Sequence, residues 1–348
     1  MIQIDFNGIV REAVEEFDAS KEIDSIMDIS AKVSTNHVYR IKFTDENIII
    51  AKLSFFGKFE HFVEDHSIIN TLANMLPAPY ENLLAQSLTR DGSLFVHRHQ
   101  GELIDAWVVF YRPMKTKERL PRRLDRDQIE KLATSFARFH KACYDVRDAL
   151  PDSSKTLKVD INHLLDILKT KEGQHEHRMH LDLIRHQCHT FLENIEKIGA
   201  DNFEPIPVFV DWNIGNFSVR SDLELYSRWD YDWFRMSSRM MDFYFFSRIV
   251  SRIGDKTVFS YDIDPLMEER FILFLKSYHQ EFPLRAAEIK FLKEGYRFFL
   301  LNYVIKYGRY FFHDIFANRL QQEAYNQHLP VLDEKFNPKP LLNALNLK

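Results

Sequence analysis

The prevailing hydrophobic period of this chain shifts from mainly strand-like to mainly helical near residue 112, and that shift restricts it to folds with a sheet in front and helices behind. Up to Tyr111 the apolar runs are short, alternating and rich in β-branched residues. They fall at 24–30, 37–43 and 47–53, with Thr44-Asp45-Glu46-Asn47 as the turn between the second and third. An antiparallel meander is expected there. Residues 58–76 then take a helical period, with Phe62, Ile69, Leu72, Ala73 and Leu76 on one face, and stop before Pro77 and Pro79. Apolar runs at 93–96 and 106–111 complete a sheet of about five strands.

Beyond Arg112-Pro113-Met114, where a hinge is expected, the pattern turns helical. Ile129, Leu132, Ala133, Phe136, His140 and Cys143 recur at three- and four-residue steps, with Asp125 and Gln128 placed as a capping pair. Further helices are expected at 161–169, 181–198, 238–253, 265–282 and 286–316. Asp264-Pro265 reads as an N-cap followed by proline at the first helical position. One β-like island, 206–210 with 217–219 and 225–229 flanking the turn Ser221-Asp222-Leu223-Glu224, interrupts the helices. With 348 residues and roughly 150 per domain, the expectation is an N-terminal lobe at 1–114 and a helical lobe at 115–348.

Composition narrows the partners. Net charge is −5 and there is no long Lys/Arg run, which argues against nucleic acid. Two cysteines are too few for a disulfide framework and suit a reducing compartment. The N-terminus has acids where a signal peptide needs a basic start, and the apolar stretch 298–316 is interrupted by Lys306, Arg309, His313 and Asp314. A soluble cytoplasmic protein with no membrane span is therefore expected.

The island carries the chemistry. Phe209-Val210-Asp211-Trp212-Asn213-Ile214-Gly215-Asn216 is followed after a hairpin by Asp230 in Ser227-Arg228-Trp229-Asp230-Tyr231-Asp232. Phosphoryl transfer requires a metal to be held, a hydroxyl to be oriented and phosphate charge to be neutralised. An Asp at a strand end, an Asn five residues on and an Asp after the next hairpin can do the first two. Taken singly, Asp and Asn between strands are more often turn formers.

In order and spacing, Asp211-x-x-x-Gly215-Asn216 followed by Asp230 resembles the motif pair of the aminoglycoside phosphotransferase and choline kinase family. The resemblance spans about residues 30–242. It implies a two-lobed protein-kinase-like α+β fold that moves the γ-phosphoryl of ATP to a hydroxyl of a small-molecule acceptor. Asp211 would be the catalytic base, and Asn216 and Asp230 would hold Mg²⁺. Ser34 and Asn36 resemble the phosphate-covering turn, Lys52 the lysine of the third strand, and Glu64 or Asp65 its acidic partner, with Met114 at the hinge. Asp242 and His140 are expected to be structural. Two departures stand out: Phe209 occupies the family's usual histidine position, and no glycine lies between Ala31 and Tyr39. They motivate a second reading, a nucleotide-binding pseudokinase acting as scaffold or sensor.

Two other patterns compete for attention. His175, His177, His180, His186, Cys188 and His189 crowd together, but no standard zinc spacing completes them, so a polar helix is expected. Tyr296, Phe299, Tyr303, Tyr307 and Tyr310 follow helical steps and are expected in the core, with a cation-binding pocket as the alternative.

Overall fold

The computed structural model describes residues 4–31, 36–254 and 260–348, so Ser34 lies outside the described residues. The chain divides into two compact units: residues 1–115 with 150–152 and 310–313, and residues 116–149 with 153–309 and 314–348.

The first unit opens with α1 (Phe6–Phe17), whose N-cap Asp5 accepts the Gly8 N–H at 2.9 Å. Strands β1 (Ile23–Asp28), β2 (His37–Phe43) and β3 (Ile48–Ser54) form the expected meander, followed by α2 (Phe59–Met75). A small hairpin of β4 (Thr89–Arg90) and β5 (Ser93–Leu94) precedes β6 (Val96–Gln100) and β7 (Asp105–Tyr111). The main sheet is antiparallel in the order β1-β2-β3-β7-β6.

Strand alternation decides what each sheet face holds. Ile41, Phe43, Ala51, Leu53, Val108 and Phe110 bury against Ile9, Val10, Ala13 and Val14 of α1. The opposite face carries Trp107 and Tyr111, which meet Phe62 and His66 of α2. The fourth strand of the main sheet runs over Val96–Gln100 rather than 93–96. Its α1 face carries His97 and His99, so apolar alternation does not reveal it.

The second unit begins with α3 (Arg126–Val146), and its Asp125–Gln128 capping box forms with bonds of 2.8 and 2.9 Å. There follow α4 (Leu157–Ile167), α5 (Lys171–Glu176) and α6 (Leu181–Ile198). Two short antiparallel pairs form the island: β8 (Ile206–Val208) with β11 (Arg235–Ser237), and β9 (Phe217–Val219) with β10 (Leu225–Arg228). Then come α7 (Phe243–Val250), α8 (Glu269–Glu281) and α9 (Ala286–Phe299). Phe136 of α3 packs on Trp212, Phe217, Phe246 and Phe274, which centres the aromatic core under the island.

Three helix ends differ from the sequence expectation. The helix expected over 238–253 starts with a 3₁₀ turn, Arg239–Met241, and α7 covers only Phe243–Val250. Asp264 is the first residue of a 3₁₀ turn, Asp264–Met267, and α8 starts beyond it, after Glu268. The run 286–316 is not one helix: α9 passes into a π-helical stretch, Leu300–Lys306, and a separate helix starts at Asp314. All seven π-helical residues are buried, so no solvated side exists to betray the change of period. Of the aromatic stripe, Tyr296, Phe299 and Tyr303 are core residues, whereas Tyr310 is 48% exposed. No helix among the described residues is long and apolar enough to cross a membrane.

The π-helical stretch delivers Lys306 into the interior. Its Nζ donates to the Asp160 carboxylate at 3.2 Å, and Arg235 Nη2 donates to the same group at 2.9 Å. Burial pushes the Asp160 carboxyl up, but the charges of Arg235 and Lys306 outweigh it and hold the group below its ordinary 3.8. Burial also holds the Lys306 ammonium below its ordinary 10.5, outweighing the support of Asp160, and Arg235 adds to the lowering. A depressed carboxyl adds stability that is fully present above its unfolded value and is lost as pH falls through the folded one. Asp160→Asn is therefore expected to cost ~1–3 kcal/mol near neutrality. Its deficit against wild type should narrow as pH drops below 3.8, as read by acid unfolding followed by circular dichroism.

Candidate active site

The loop that follows β8 is fixed from below by one carboxylate. Asp242, fully buried, accepts the backbone N–H of Phe209 at 3.1 Å and of Val210 at 2.6 Å through Oδ1. Its Oδ2 accepts from His140 Nε2 at 3.0 Å, and His140 Nδ1 meets the Tyr278 hydroxyl at 2.8 Å. Asp242 and His140 thus satisfy buried polar groups, as expected of structural residues. They also hold Val210 at φ 60°, a left-handed conformation that a β-branched residue adopts only under constraint.

That turn presents Asp211, half-buried, at the strand end. Its Oδ1 accepts from the Asn213 backbone at 3.2 Å and from the Asn213 side chain, while its Oδ2 accepts from Asn216 Nδ2 at 3.0 Å. With its amide nitrogen committed to Asp211, Asn216 keeps its side-chain oxygen as a hard donor. The Asn216 carbonyl accepts the Trp229 N–H at 3.0 Å, so the chain segment leading to Asp230 is knitted to the same loop. Asp230 itself is exposed and sits at φ 69°. An amide oxygen and a carboxylate are the donor chemistry that Mg²⁺ takes, so these residues fit the ion.

Sequence reasoning missed Arg228. Its guanidinium is fully buried and donates to the Asp211 carbonyl at 2.9 Å and to the Asn216 carbonyl at 3.1 Å. The rings of Phe209 and Trp212 flank it at 5.3 and 5.1 Å. Burial pulls its pKa down, and the negative charges of Asp211 and Asp230 both act to restore it. One cation therefore senses both acids and ties the two ends of the loop. Phe209, in the family's histidine position, makes no polar side-chain contact there and instead packs against Phe139, Trp212, Tyr231 and Phe234. The signal in the sequence was an arginine two residues before Asp230, at the end of the strand Leu225-Tyr226-Ser227-Arg228.

The remaining expected site residues lie in the first unit. Lys52 is buried on β3, directly opposite Val109, on the sheet face that holds Trp107 and Tyr111. Those two rings touch Phe62 and His66 of α2, and Asp65 lies between these contacts on the buried face of the helix. Glu64 is only half-buried. Asn36 is buried just before β2, and Met114 is half-buried just beyond β7. In the histidine-rich segment, His177 bonds the Tyr325 hydroxyl at 2.9 Å and His180 stacks on the same ring. Among the described residues that segment assembles no set of three metal donors.

No family model and no curated relative matches this chain. Solved structures do. Amicoumacin kinase hAmiN, in complex with AMP-PNP, Ca²⁺ and Ami, aligns with a TM-score of 0.59 at 12% identity, over 97% of this chain and 97% of that one. An ethanolamine kinase from Plasmodium vivax aligns at 0.58 and 14% identity, over 94% and 87%. The aminoglycoside phosphotransferase APH(2")-IIa, in its gentamicin complex, aligns at 0.55 and 14%, over 95% and 99%. Along nearly its whole length, this chain has the two-lobed protein-kinase-like fold of the aminoglycoside phosphotransferases and of ethanolamine kinase.

Proposed function

We propose that this protein is an ATP-dependent phosphotransferase that moves the γ-phosphoryl group to a hydroxyl of a small-molecule acceptor. The observation that carries the proposal is the knot around Arg228. It joins the Asp211 and Asn216 carbonyls while Asn216 holds the Asp211 carboxylate. In this reading Asp211 orients the acceptor hydroxyl and takes its proton, and the bonds from Asn213 and Asn216 fix the direction of its oxygens. Asn216 and Asp230 hold Mg²⁺, which neutralises phosphate charge when bound. Lys52 contacts the nucleotide phosphates, with Asn36, Ser34 and Met114 as further nucleotide contacts. Of the two acids proposed to support Lys52, Asp65 is favoured because a buried lysine requires an equally buried counter-charge.

The position of Phe209 favours the second reading, a nucleotide-binding pseudokinase, only if the loop lacks a brace. Arg228 supplies one, which supports the active enzyme.

Thermal unfolding with and without Mg-ATP tests the nucleotide site. Nucleotide at a hundred times its dissociation constant should stabilise the wild type by ~2.7 kcal/mol. Asp230→Ala should abolish the Mg²⁺-dependent part of that shift. No shift in the wild type would remove both readings. A shift without ADP release, in a screen of acceptors beginning with gentamicin and ethanolamine, would leave the pseudokinase.

A further inference from the structure

The first unit carries a second cluster, on the sheet face opposite Lys52. Residues i and i+2 of a strand share a face, so β6 presents His97 and His99 together; one turn of α1 likewise places Glu12 above Glu16. The two elements pack against each other and the four side chains meet. His99 Nδ1 lies 2.8 Å from Glu12 Oε2, and His97 Nε2 lies 4.0 Å from that same oxygen. One donor atom from each of Glu12, His97 and His99 falls within 4.8 Å of the other two. Glu16 bonds His97 Nδ1 from behind.

His97 makes this more than a pair of surface histidine–glutamate contacts. The residue is 8% exposed, and its Nε2 is buried with no hydrogen-bond partner. An unmatched buried nitrogen is uncommon in native proteins and calls for an explanation. The Glu16 bond leaves Nε2 as the ring atom turned toward Glu12. A carboxylate behind a histidine, with the far nitrogen facing other donors, is the arrangement that orients a metal-bound imidazole.

We propose that Glu12, His97 and His99 bind a divalent transition-metal ion, Zn²⁺ by donor type, with Glu16 orienting His97. Two imidazoles and one carboxylate suit zinc better than Mg²⁺ or Ca²⁺, which take oxygen. Bonds of ~2.0–2.2 Å in a tetrahedron put neighbouring donors ~3.4 Å apart. The separations of 2.8 and 4.0 Å bracket that distance. Three protein ligands leave a fourth position for water. The ion would clip α1 to β6, the edge strand of the sheet, and it is independent of the phosphotransfer reading.

The test uses the untagged full chain, stripped with EDTA and titrated with Co²⁺ as a coloured probe. The wild type should take up one equivalent with the visible absorption of tetrahedral cobalt, Zn²⁺ should displace it, and Zn²⁺ should raise the thermal midpoint. His99→Gln and Glu12→Gln, both at partly exposed positions, should abolish the cobalt spectrum while retaining the far-ultraviolet circular dichroism of the wild type. Glu16→Gln should weaken binding ~10–100-fold. His186→Gln/His189→Gln, in the histidine-rich helix, should bind as the wild type does. Absence of saturable binding in the wild type, or unchanged binding in His99→Gln and Glu12→Gln, would overturn the site and leave two histidine–glutamate hydrogen bonds.

Discussion

Asp211→Asn is expected to slow ADP release ~10²–10⁴-fold at saturating Mg-ATP and acceptor, or ~3–5 kcal/mol of barrier, while the Mg-ATP thermal shift keeps its size. The substitution removes the one group on the loop able to take the hydroxyl proton. It leaves the Asp211 carbonyl, which Arg228 holds, in place. The asparagine can still turn its oxygen to the Asn213 donors, at the cost of setting its own amide against Asn216 Nδ2. Turnover equal to wild type, with the nucleotide shift present, would remove Asp211 from the chemistry.

What the sequence disclosed follows from how locally each feature is encoded. Helix α3 was legible because its apolar stripe and its capping pair lie in one continuous stretch with one solvated side. Strand β6 was hidden because His97 and His99 take inward positions that apolar alternation would have marked, and their partners Glu12 and Glu16 sit more than eighty residues away. The π-helical stretch after α9 was hidden for the opposite reason, since uniform burial erases the period. Among the residues proposed for the site, Asp211, Asn216 and Asp230 could be nominated because order and spacing along the chain mark them. The acid proposed to partner Lys52 could not be chosen by spacing, whereas burial separates Asp65 from Glu64. Arg228 was illegible because a strand arginine is read as solvated unless the aromatic cage around it is known.

Arg228→Met is expected to destabilise the protein by ~3–5 kcal/mol and to abolish the Mg-ATP shift. Methionine fills much of the space between Phe209 and Trp212, so the cost is not chiefly a cavity. It comes from two carbonyls, Asp211 and Asn216, that lose a charged donor, a hydrogen bond of that kind being worth ~1.5–3 kcal/mol, although the Asn216 carbonyl keeps the Trp229 N–H. The cation also balances the nearby charges of Asp211 and Asp230, and without it the two acids repel with less compensation. Both effects loosen the 211–216 loop at the residues proposed to hold the metal. Arg228→Lys keeps the charge but has one nitrogen for two carbonyls on different residues, so it should recover part of the stability and little of the nucleotide shift. Urea unfolding of the two variants, alongside Tyr226→Phe on the same strand as a control, separates these cases. A stable Arg228→Met with full Mg-ATP binding would mean that Asp242 and the aromatic packing of Phe209 suffice to hold the loop, and that the buried guanidinium is incidental to it.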